Sequence, residues 1–251
     1  MHASIQVIIP ALDEEETIGG VVEALREQGL TRIRVVDNGS VDRTASVAED
    51  AGAEVITEPN RGYGQACWRG YEHLDREVGW VLFCDADGSD DLSDITRLIE
   101  SAEGGADFVL GNRRASAAAR GAMTPVQQFG NGLATSLINL GPLRLIRRDL
   151  LEKIDMQDRG FGWTIEMQVR AAEEGAVIVE LPVGYRPRGG GRSKISGTVR
   201  GSVAAGTIIL GTLGQLWLKR WNGNPYGYKA GGVILLLGAM AMMPQGDFAV
   251  A

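Results

Sequence analysis

Two aspartates separated by one residue are the strongest chemical feature of the sequence. Asp85 and Asp87 follow the apolar run WVLFC at residues 80–84, which predicts a buried strand. In an open α/β sheet, ligands bind at the carboxyl ends of the strands. Two carboxylates there can hold a divalent cation, which in turn neutralises a diphosphate. A plain turn at the end of the strand is the alternative, because Asp-x-Asp by itself is a common pattern.

Acidic residues also follow two other predicted strands. Asp13 and Glu14 follow the first apolar run, which ends at Pro10, and Asp37 ends the run at residues 33–36. A carboxylate at position 37 can accept hydrogen bonds from a nucleobase or a ribose, although a simple Asp-Asn-Gly-Ser turn would have the same sequence. Since the three acidic strand ends share one sheet edge, they indicate one ligand crevice rather than three turns.

Two glycines, Gly62 and Gly64, either let a loop pass close to a nucleotide or only begin a helix. The dinucleotide fingerprint does not fit, because it should follow the first strand and continue to a third glycine at fixed spacing. A Walker-type phosphate loop is also excluded, since the sequence has no Gly-Lys-Ser or Gly-Lys-Thr.

A glycine-rich segment at residues 186–194 carries four cations: Arg186, Arg188, Arg192 and Lys194. Guanidinium and ammonium groups on a flexible backbone suit the binding of phosphate groups. The alternative is a solvated basic loop that faces anionic lipid, which is compatible with a phosphate site.

Alternating apolar runs predict the elements that position these residues. Strands are predicted at 5–9, 33–36, 53–56, 80–84, 107–110 and 178–181, and helices at about 13–28, 44–51, 62–77 and 94–102. This alternation predicts an α/β fold with a mostly parallel sheet flanked by helices. Between residues 111 and 160 the sequence predicts only loops and helices.

Composition excludes several classes of protein. The 251 residues include 25 Lys and Arg against 32 Asp and Glu, so the net charge of −7 argues against nucleic acid as the main partner. Two cysteines and two histidines argue against a disulfide framework, a histidine-based triad and a His-rich zinc site. The content of 44% apolar and 23% charged residues excludes a disordered chain.

The C-terminal part of the chain differs from the rest. Residues 201–218 and 230–243 are apolar, and the basic-aromatic sequence KRW at 219–221 lies between them. Such a boundary is typical of a membrane interface, although the second run is shorter than the about 20 residues of a spanning helix. We therefore expect a catalytic domain at 1–200 and an apolar helical, membrane-associated segment at 201–251. The alternative is a helical hairpin packed on the domain.

The ordered series of motifs resembles glycosyltransferase family 2, whose members use nucleotide-diphospho-sugars and have the Rossmann-like GT-A fold. The closest branch is the dolichyl-phosphate or polyprenyl-phosphate mannosyl- and glucosyltransferases. The matching motifs are IIPALDEE at 8–15, VVDNGS at 35–40, GYG at 62–64, CDAD at 84–87, LGNR at 110–113, GPLR at 141–144 and GRSK at 191–194. The resemblance covers residues 4 to 200.

The resemblance implies roles for the site residues. The nucleotide would be held by Pro10, Leu12, Glu14, Asp37, Gly64, Asp85 and Ala86. A Mg²⁺ or Mn²⁺ ion would bind Asp85 and Asp87, with Asp87 also taking part in catalysis. Donor and acceptor phosphates would face Arg113, Arg188, Arg192 and Lys194.

The sequence departs from the family pattern at several places, among them Gln127 and Asn131, where that branch often has Arg and Ser for the acceptor phosphate. Asp13 stands where the family usually has Asn, and Ser89 stands where lipid-phosphate enzymes can have a longer ligand near the metal. The stretch 136–141 is shorter than in relatives and lacks the Asp that would be the natural general base. Glu166 is then the nearest carboxylate for that catalytic role, and a plain helical pair with Arg170 is the alternative.

These observations predict an inverting, metal-dependent hexosyltransferase that works at the cytoplasmic face of a membrane. Its donor would be of the GDP-mannose or UDP-glucose type, and its acceptor a polyprenyl phosphate or another membrane lipid. One alternative is transfer to a hydroxyl acceptor, which requires a carboxylate base. Another is a catalytically silent nucleotide-binding module that recruits a membrane partner. A sugar-nucleotide nucleotidyltransferase is disfavoured by the acidic loop after the first strand, and a homo-oligomer is left open.

Overall fold

The computed structural model describes residues 2–113, 141–160 and 162–189. All of them lie in the first of two units into which the chain divides, Met1–Arg192. The strands are β1 (Ile5–Ala11), β2 (Arg32–Asp37), β3 (Glu54–Thr57), β4 (Trp80–Phe83), β5 (Phe108–Asn112), β6 (Arg144–Arg147) and β7 (Ile178–Pro182). The helices are α1 (Ile18–Glu27), α2 (Thr44–Asp50), α3 (Tyr63–Tyr71), α4 (Ile95–Glu103), α5 (Arg148–Lys153) and α6 (Trp163–Glu173).

The seven described strands form one mixed sheet in the order β3-β2-β1-β4-β6-β5-β7. Every neighbouring pair is parallel except the two pairs made by β6, which runs antiparallel to β4 and β5. The predicted α/β fold with a mostly parallel sheet is confirmed. In such a sheet the helices cover both faces, because the connections between parallel strands must cross over them.

Strand β6 lies in the region that was predicted to contain only loops and helices, so that prediction is wrong. The strand is four residues long and has arginine at both ends, which leaves only Leu145 and Ile146 as an apolar signal. Both are fully buried, on opposite faces of the sheet. Its position between β4 and β5 is fixed by tertiary hydrogen bonds, which leave no periodic pattern in the sequence.

The hydrophobic core consists of two clusters, one on each face of the sheet. Alternate residues of β1 point to opposite faces, so Val7 packs with α1 and α4 while Ile8 packs with α3 and α6. The second cluster includes Trp163, which is 1% exposed and packs edge-on against Phe83. Burial on both faces makes the sheet a rigid support for the loops at its edges.

Two helices are shorter than the sequence predicted. Helix α1 begins only at Ile18, so the acidic residues before it form a loop rather than its first turn. Helix α3 ends at Tyr71, six residues before the predicted end at Glu77. Within the part of the chain that the structure describes, no helix is both long and apolar enough to cross a bilayer.

Candidate active site

The carboxyl ends of β1, β2 and β4 lie side by side at one edge of the sheet. Strand β1 pairs in parallel with β2 on one side and with β4 on the other. Ala11, the last residue of β1, is in register with Asp37, the last residue of β2. The segment with Asp85 and Asp87 leaves β4 at the same edge. The acidic residues that follow the three strands therefore share one edge, where open α/β sheets bind ligands.

Hydrogen bonds fasten the loop after β1 to the segment after β2. The Asp13 N–H donates to Ser40 Oγ at 2.9 Å, and Asp13 Oδ1 accepts from the Val41 N–H at 2.8 Å. The Glu14 N–H donates to Thr44 Oγ1 at 2.7 Å. Asp13 has a φ of 49°, in the left-handed region that Asp and Asn tolerate better than most residues. Asp13 can therefore replace the Asn expected at this position.

Only one of the two carboxylate oxygens of Asp37, in the turn after β2, takes part in the described hydrogen bonds. Oδ1 of Asp37 accepts a hydrogen bond from the N–H of Ser40 at 3.0 Å, as in the simple turn that the sequence allowed. Within the described residues, the other carboxylate oxygen of Asp37 makes no hydrogen bond. Asp37 as a whole is 9% exposed. One oxygen thus forms the turn, and the other is left for a ligand at the sheet edge, where Pro10 and Leu12 also lie.

Asn38 connects this turn to the start of α3, a role that the sequence analysis missed. Its Nδ2 donates to the carbonyl oxygens of Glu58 at 2.9 Å and Asn60 at 2.8 Å. Its Oδ1 accepts from the Gly62 N–H at 2.8 Å. In the sequence Asn38 resembles an ordinary turn residue, because its partners are 20 to 24 positions away along the chain.

Arg113 binds the acidic segment after β4. Its guanidinium contacts Asp90 Oδ1 at 2.7 Å and Asp85 Oδ2 at 3.3 Å. It also lies over the ring of Tyr185, 4.6 Å from the centroid. Asp90 is 5% exposed, and within the described residues its Oδ2 has no hydrogen-bond partner. Arg113, which the resemblance placed at phosphates, is thus held between two carboxylates at this edge.

Arg188 joins the loop after β1 to the loop after β4. Its guanidinium pairs with Glu14 Oε1 and, at 3.2 Å, with Asp87 Oδ2. The next residue, Gly189, donates its N–H to the Asp87 carbonyl at 3.1 Å. The carbonyl of Ala86 accepts from Thr17 Oγ1 at 2.9 Å and closes the same junction. The structure therefore brings together Glu14, Asp87 and Arg188, which are distant in sequence.

Burial shifts the pKa of a carboxyl group in the acidic segment after β4. It raises the pKa of Asp85 to about 7. The Arg113 guanidinium acts in the opposite direction, and the carboxylates of Asp90 and Asp87 add to the increase. Carboxylates in such a place are costly to keep ionised without cations, which Arg113 and Arg188 supply on the protein side.

The carboxylates at this sheet edge fit a divalent cation that a bound ligand would also help to coordinate. Among the described residues, no group of three or more His, Cys, Asp or Glu side chains is arranged to hold a metal ion by itself. Asp85 and Asp87 provide carboxylate oxygens at one edge, and the buried Oδ2 of Asp90 has no hydrogen-bond partner among the residues that the structure describes. Mg²⁺ is usually held by one or two carboxylates together with substrate phosphates and water, so two aspartates are sufficient.

Gly64 makes room for another part of the protein. A Cβ at this position would lie 2.7 to 2.9 Å from backbone atoms of residues 158–160. A Cβ at Gly62 would meet the Arg159 carbonyl oxygen at 2.7 Å. Both glycines therefore allow the 158–160 backbone to contact the start of α3. A contact of Gly64 with the nucleotide stays a prediction.

Glu166 lies in α6 and is 3% exposed. Its Oε2 accepts from the N–H groups of Gln157 at 2.9 Å and Asp158 at 2.7 Å. Its Oε1 forms an ion pair with Arg170 Nη2 at 2.8 Å, the helical pair that the sequence offered as the alternative. These contacts connect Glu166 to a loop, and its expected part in catalysis stays a prediction.

Arg144 is a buried cation that the sequence analysis assigned no role. It is 1% exposed and donates to the Gly141 carbonyl at 2.6 and 2.9 Å and to the Thr164 carbonyl at 2.8 Å. Burial lowers the pKa of Arg144 to about 10, which leaves it charged at neutral pH. Its position in the short strand β6 gave no sign of these contacts in the sequence.

Several predicted features lie outside the described residues. They are Arg192, Lys194, most of the short stretch 136–141 and the apolar segment 201–251.

The chain matches a known protein family over most of its described length. Residues 6–170 match the family model described as "Glycosyl transferase family 2". An uncharacterised glycosyltransferase of Mycobacterium tuberculosis is 38% identical over 209 residues, covering 80% of this chain and 94% of the relative. An undecaprenyl-phosphate mannosyltransferase of Micrococcus luteus is 30% identical over 243 residues, covering 86% of this chain and 95% of the relative.

A solved structure supports the fold. The glucosyl-3-phosphoglycerate synthase of Mycobacterium tuberculosis, in complex with Mn²⁺ and uridine-diphosphate-glucose, superposes with a TM-score of 0.63. The two share 22% sequence identity, and the match covers 84% of this chain and 77% of that one. At this identity the likeness concerns the fold.

Proposed function

The chain belongs to glycosyltransferase family 2 and is a glycosyltransferase with the GT-A fold, and on this basis we propose that it transfers a hexose to a polyprenyl phosphate. The donor is a nucleotide-diphospho-sugar of the GDP-mannose or UDP-glucose type, and a Mg²⁺ or Mn²⁺ ion takes part. The reaction takes place at the cytoplasmic face of a membrane. The lipid acceptor is supported by the mannosyltransferase of Micrococcus luteus, whose name gives undecaprenyl phosphate.

One observation carries the donor part of this proposal. Arg188 bridges Glu14 and Asp87, so the loops that follow β1 and β4 meet around one guanidinium at the edge where α/β sheets bind ligands. The carboxylates of Asp85 and Asp87 would hold the cation, which, when bound, would neutralise the diphosphate leaving group. Arg188 would then turn from the carboxylates to the phosphates, which a guanidinium binds in a bidentate manner.

The nucleoside part would occupy the adjacent strand end. Asp37 keeps one carboxylate oxygen without a partner within the described residues, and a ribose or nucleobase could donate to it. Pro10 and Leu12 lie next to it at the end of β1. Glu14, Asp85 and Ala86 complete the proposed nucleotide site.

The transfer would be a single displacement with inversion. An acceptor phosphate oxygen forms a bond to the anomeric carbon while the bond between that carbon and the diphosphate oxygen breaks, and the electron pair leaves with the nucleoside diphosphate. A phosphate monoester is already anionic near neutral pH, so this acceptor needs no strong general base. A hydroxyl acceptor would need a base to remove its proton.

The first test is thermal stabilisation of the full chain by UDP, GDP and ADP, each with and without Mn²⁺. A ligand that binds only the folded state stabilises it by about 2.7 kcal/mol at a concentration of 100 times Kd. We expect one nucleotide to raise the melting temperature selectively, and only with the metal. No shift with any nucleotide would contradict the proposed donor site.

The second test measures transfer of a labelled sugar from the nucleotide-diphospho-sugar that contains the stabilising nucleotide. Polyprenyl phosphate and the matching polyprenol are the paired acceptors. Transfer to the phosphate and none to the alcohol is expected. Transfer to the alcohol would favour the hydroxyl-acceptor alternative. Nucleotide binding without transfer to either acceptor would favour the silent binding module.

A further inference from the structure

We infer that Glu166 is a positioning residue, which holds the loop at 157–160 against the start of α3 and thereby keeps the nucleotide-binding turn after β2 in place. This inference rests on the proposed function, because it concerns the support of that same donor site.

The first link runs from α6 to the loop. Glu166 Oε2 accepts two backbone hydrogen bonds, from Gln157 at 2.9 Å and Asp158 at 2.7 Å, while Oε1 pairs with Arg170 at 2.8 Å. The side chain is 4% exposed, and both of its carboxylate oxygens are engaged. A general base needs an accessible lone pair directed at the acceptor, whereas three of the about four lone-pair sites of this nearly buried carboxylate face structural donors. The contacts are those of a structural anchor with charge-assisted hydrogen bonds.

The second link runs from the loop to α3. The Gly64 N–H donates to the Gly160 carbonyl at 3.1 Å, and the Gln65 N–H donates to the Arg159 carbonyl at 2.7 Å. The loop thus accepts from N–H groups in the first turn of α3, which have no partner within the helix. The Arg159 guanidinium also lies over the Trp68 ring, 3.5 Å from its centroid. Close backbone approach at Gly64 leaves no space for the loop to shift toward the helix.

The third link runs from α3 to the nucleotide-binding turn. The Gly62 N–H donates to Asn38 Oδ1 at 2.8 Å, and Asn38 directly follows Asp37. Gln65 Nε2 also contacts Glu58 Oε2 at 3.1 Å, and the Glu58 N–H donates to the Asp37 carbonyl at 2.9 Å. The start of α3 is therefore attached on one side to the loop that Glu166 holds, and on the other to the residue proposed to bind the nucleoside.

Glu166→Gln in the full chain is the matched perturbation. The amide keeps the size of the carboxylate but carries one acceptor oxygen and a donor NH₂, so it cannot serve both the two loop N–H groups and Arg170. Glu174→Gln is the control, because Glu174 pairs with Lys153 at the surface and no described contact ties its side chain to the loop. Both variants would be compared with the unaltered chain in amide hydrogen exchange, nucleotide binding and turnover.

Hydrogen exchange tests the connection independently of the function. We expect the amides of Gly64 and Gln65 to exchange about tenfold faster in Glu166→Gln, as local opening of the loop becomes easier, and to be unchanged in Glu174→Gln. Equal exchange in all three proteins would overturn the inference. A chain that binds no nucleotide would refute the proposed function, while the exchange result would still decide the connection.

Binding and kinetics separate positioning from base catalysis. For Glu166→Gln, we expect the Kd for the nucleoside diphosphate with Mn²⁺ and the KM for the donor to rise about tenfold. We expect kcat to stay within about twofold, with an unchanged acidic limb of the pH profile of kcat. A large loss of kcat with unchanged Kd and loss of the acidic limb would instead identify Glu166 as the base. Unchanged Kd and kcat would also contradict the inference.

Discussion

Replacing Arg188 by alanine is expected to change metal binding and nucleotide binding in opposite directions. In the structure, the Arg188 guanidinium contacts Asp87 Oδ2 at 3.2 Å and Glu14 Oε1, and the side chains of these two carboxylates are only 12% and 10% exposed. A cation that binds Asp87 must compete with this guanidinium. A diphosphate, in contrast, would gain the guanidinium as a partner.

The magnitude follows from the number of contacts that change. A hydrogen bond to a charged group contributes about 1.5–3 kcal/mol, and every 1.4 kcal/mol is about tenfold in affinity. Without Arg188, Mn²⁺ no longer has to compete with a guanidinium for Asp87. The Kd of Mn²⁺ alone should therefore fall about tenfold. The nucleoside diphosphate with saturating Mn²⁺ loses a charge-assisted contact, so its Kd should rise by about tenfold to a hundredfold.

Arg186→Ala is the matched control for this experiment. Arg186 is two positions away and pairs with Asp91 at 3.0 Å, but its side chain is 68% exposed and it contacts neither Glu14 nor Asp87 in the structure. Isothermal titration of Mn²⁺ alone, and of the nucleoside diphosphate with saturating Mn²⁺, would be measured for the unaltered chain and for both variants. Arg186→Ala should change either Kd by less than about twofold, as expected for an exposed ion pair.

Two results would refute this reasoning. If Mn²⁺ bound Arg188→Ala more weakly than the unaltered chain, Arg188 would not compete with the cation for Asp87. If the nucleotide bound equally well to both proteins, Arg188 would not face the diphosphate. A circular-dichroism melt of each variant separates these outcomes from loss of the fold.

Three further predictions concern other parts of the structure. Asp87→Asn keeps the acceptor for the Ser89 N–H but removes a proposed metal ligand. Metal-dependent transfer, measured with labelled donor, should therefore fall by about 100-fold or more, with little change in melting temperature. Retained turnover would contradict the metal assignment. Gly64→Ala places a Cβ 2.7 Å from backbone and should cost about 2 kcal/mol in urea unfolding. Gly20→Ala is at an exposed position of α1 with nothing within 4 Å of the added Cβ, so it should stabilise by about 0.5–1 kcal/mol. Equal effects would refute the packing argument. Arg144→Met removes the buried guanidinium that donates to the carbonyls of Gly141 and Thr164, and it should lower the free energy of unfolding by about 3 kcal/mol. A loss below about 0.5 kcal/mol would show that these bonds contribute little.

The sequence was sufficient to predict the parallel part of the sheet and the shared edge at which the acidic strand ends meet. Runs such as Ile5–Ala11 and Trp80–Phe83 are apolar on both faces, which is the pattern of strands buried between two layers of helices. The aspartates that end these runs mark the carboxyl edge because parallel strands all point the same way. These are local signals, and a periodic pattern records them directly.

The sequence was insufficient where a short element depends on its neighbours. Strand β6 has two apolar residues between arginines, and it exists because β4 and β5 both offer it hydrogen bonds. The start of α1 was placed too early for a related reason. The acidic residues before Ile18 are held in a loop by side chains that follow β2, such as Ser40 and Thr44.

The residue types of the site were determined by the sequence alone, and their partners only by the tertiary structure. The types of Asp85, Asp87 and Arg188, and their places after strands or among glycines, were enough to predict them as ligands for a cation and for phosphate. That Arg188 lies between Glu14 and Asp87 could not be read from the sequence, because Glu14 is 174 positions from it along the chain. Likewise, the close neighbour of Gly64 is a loop held by Glu166, about a hundred positions away. Contacts at such separations are fixed by the packing of helices on the sheet, which no local pattern encodes.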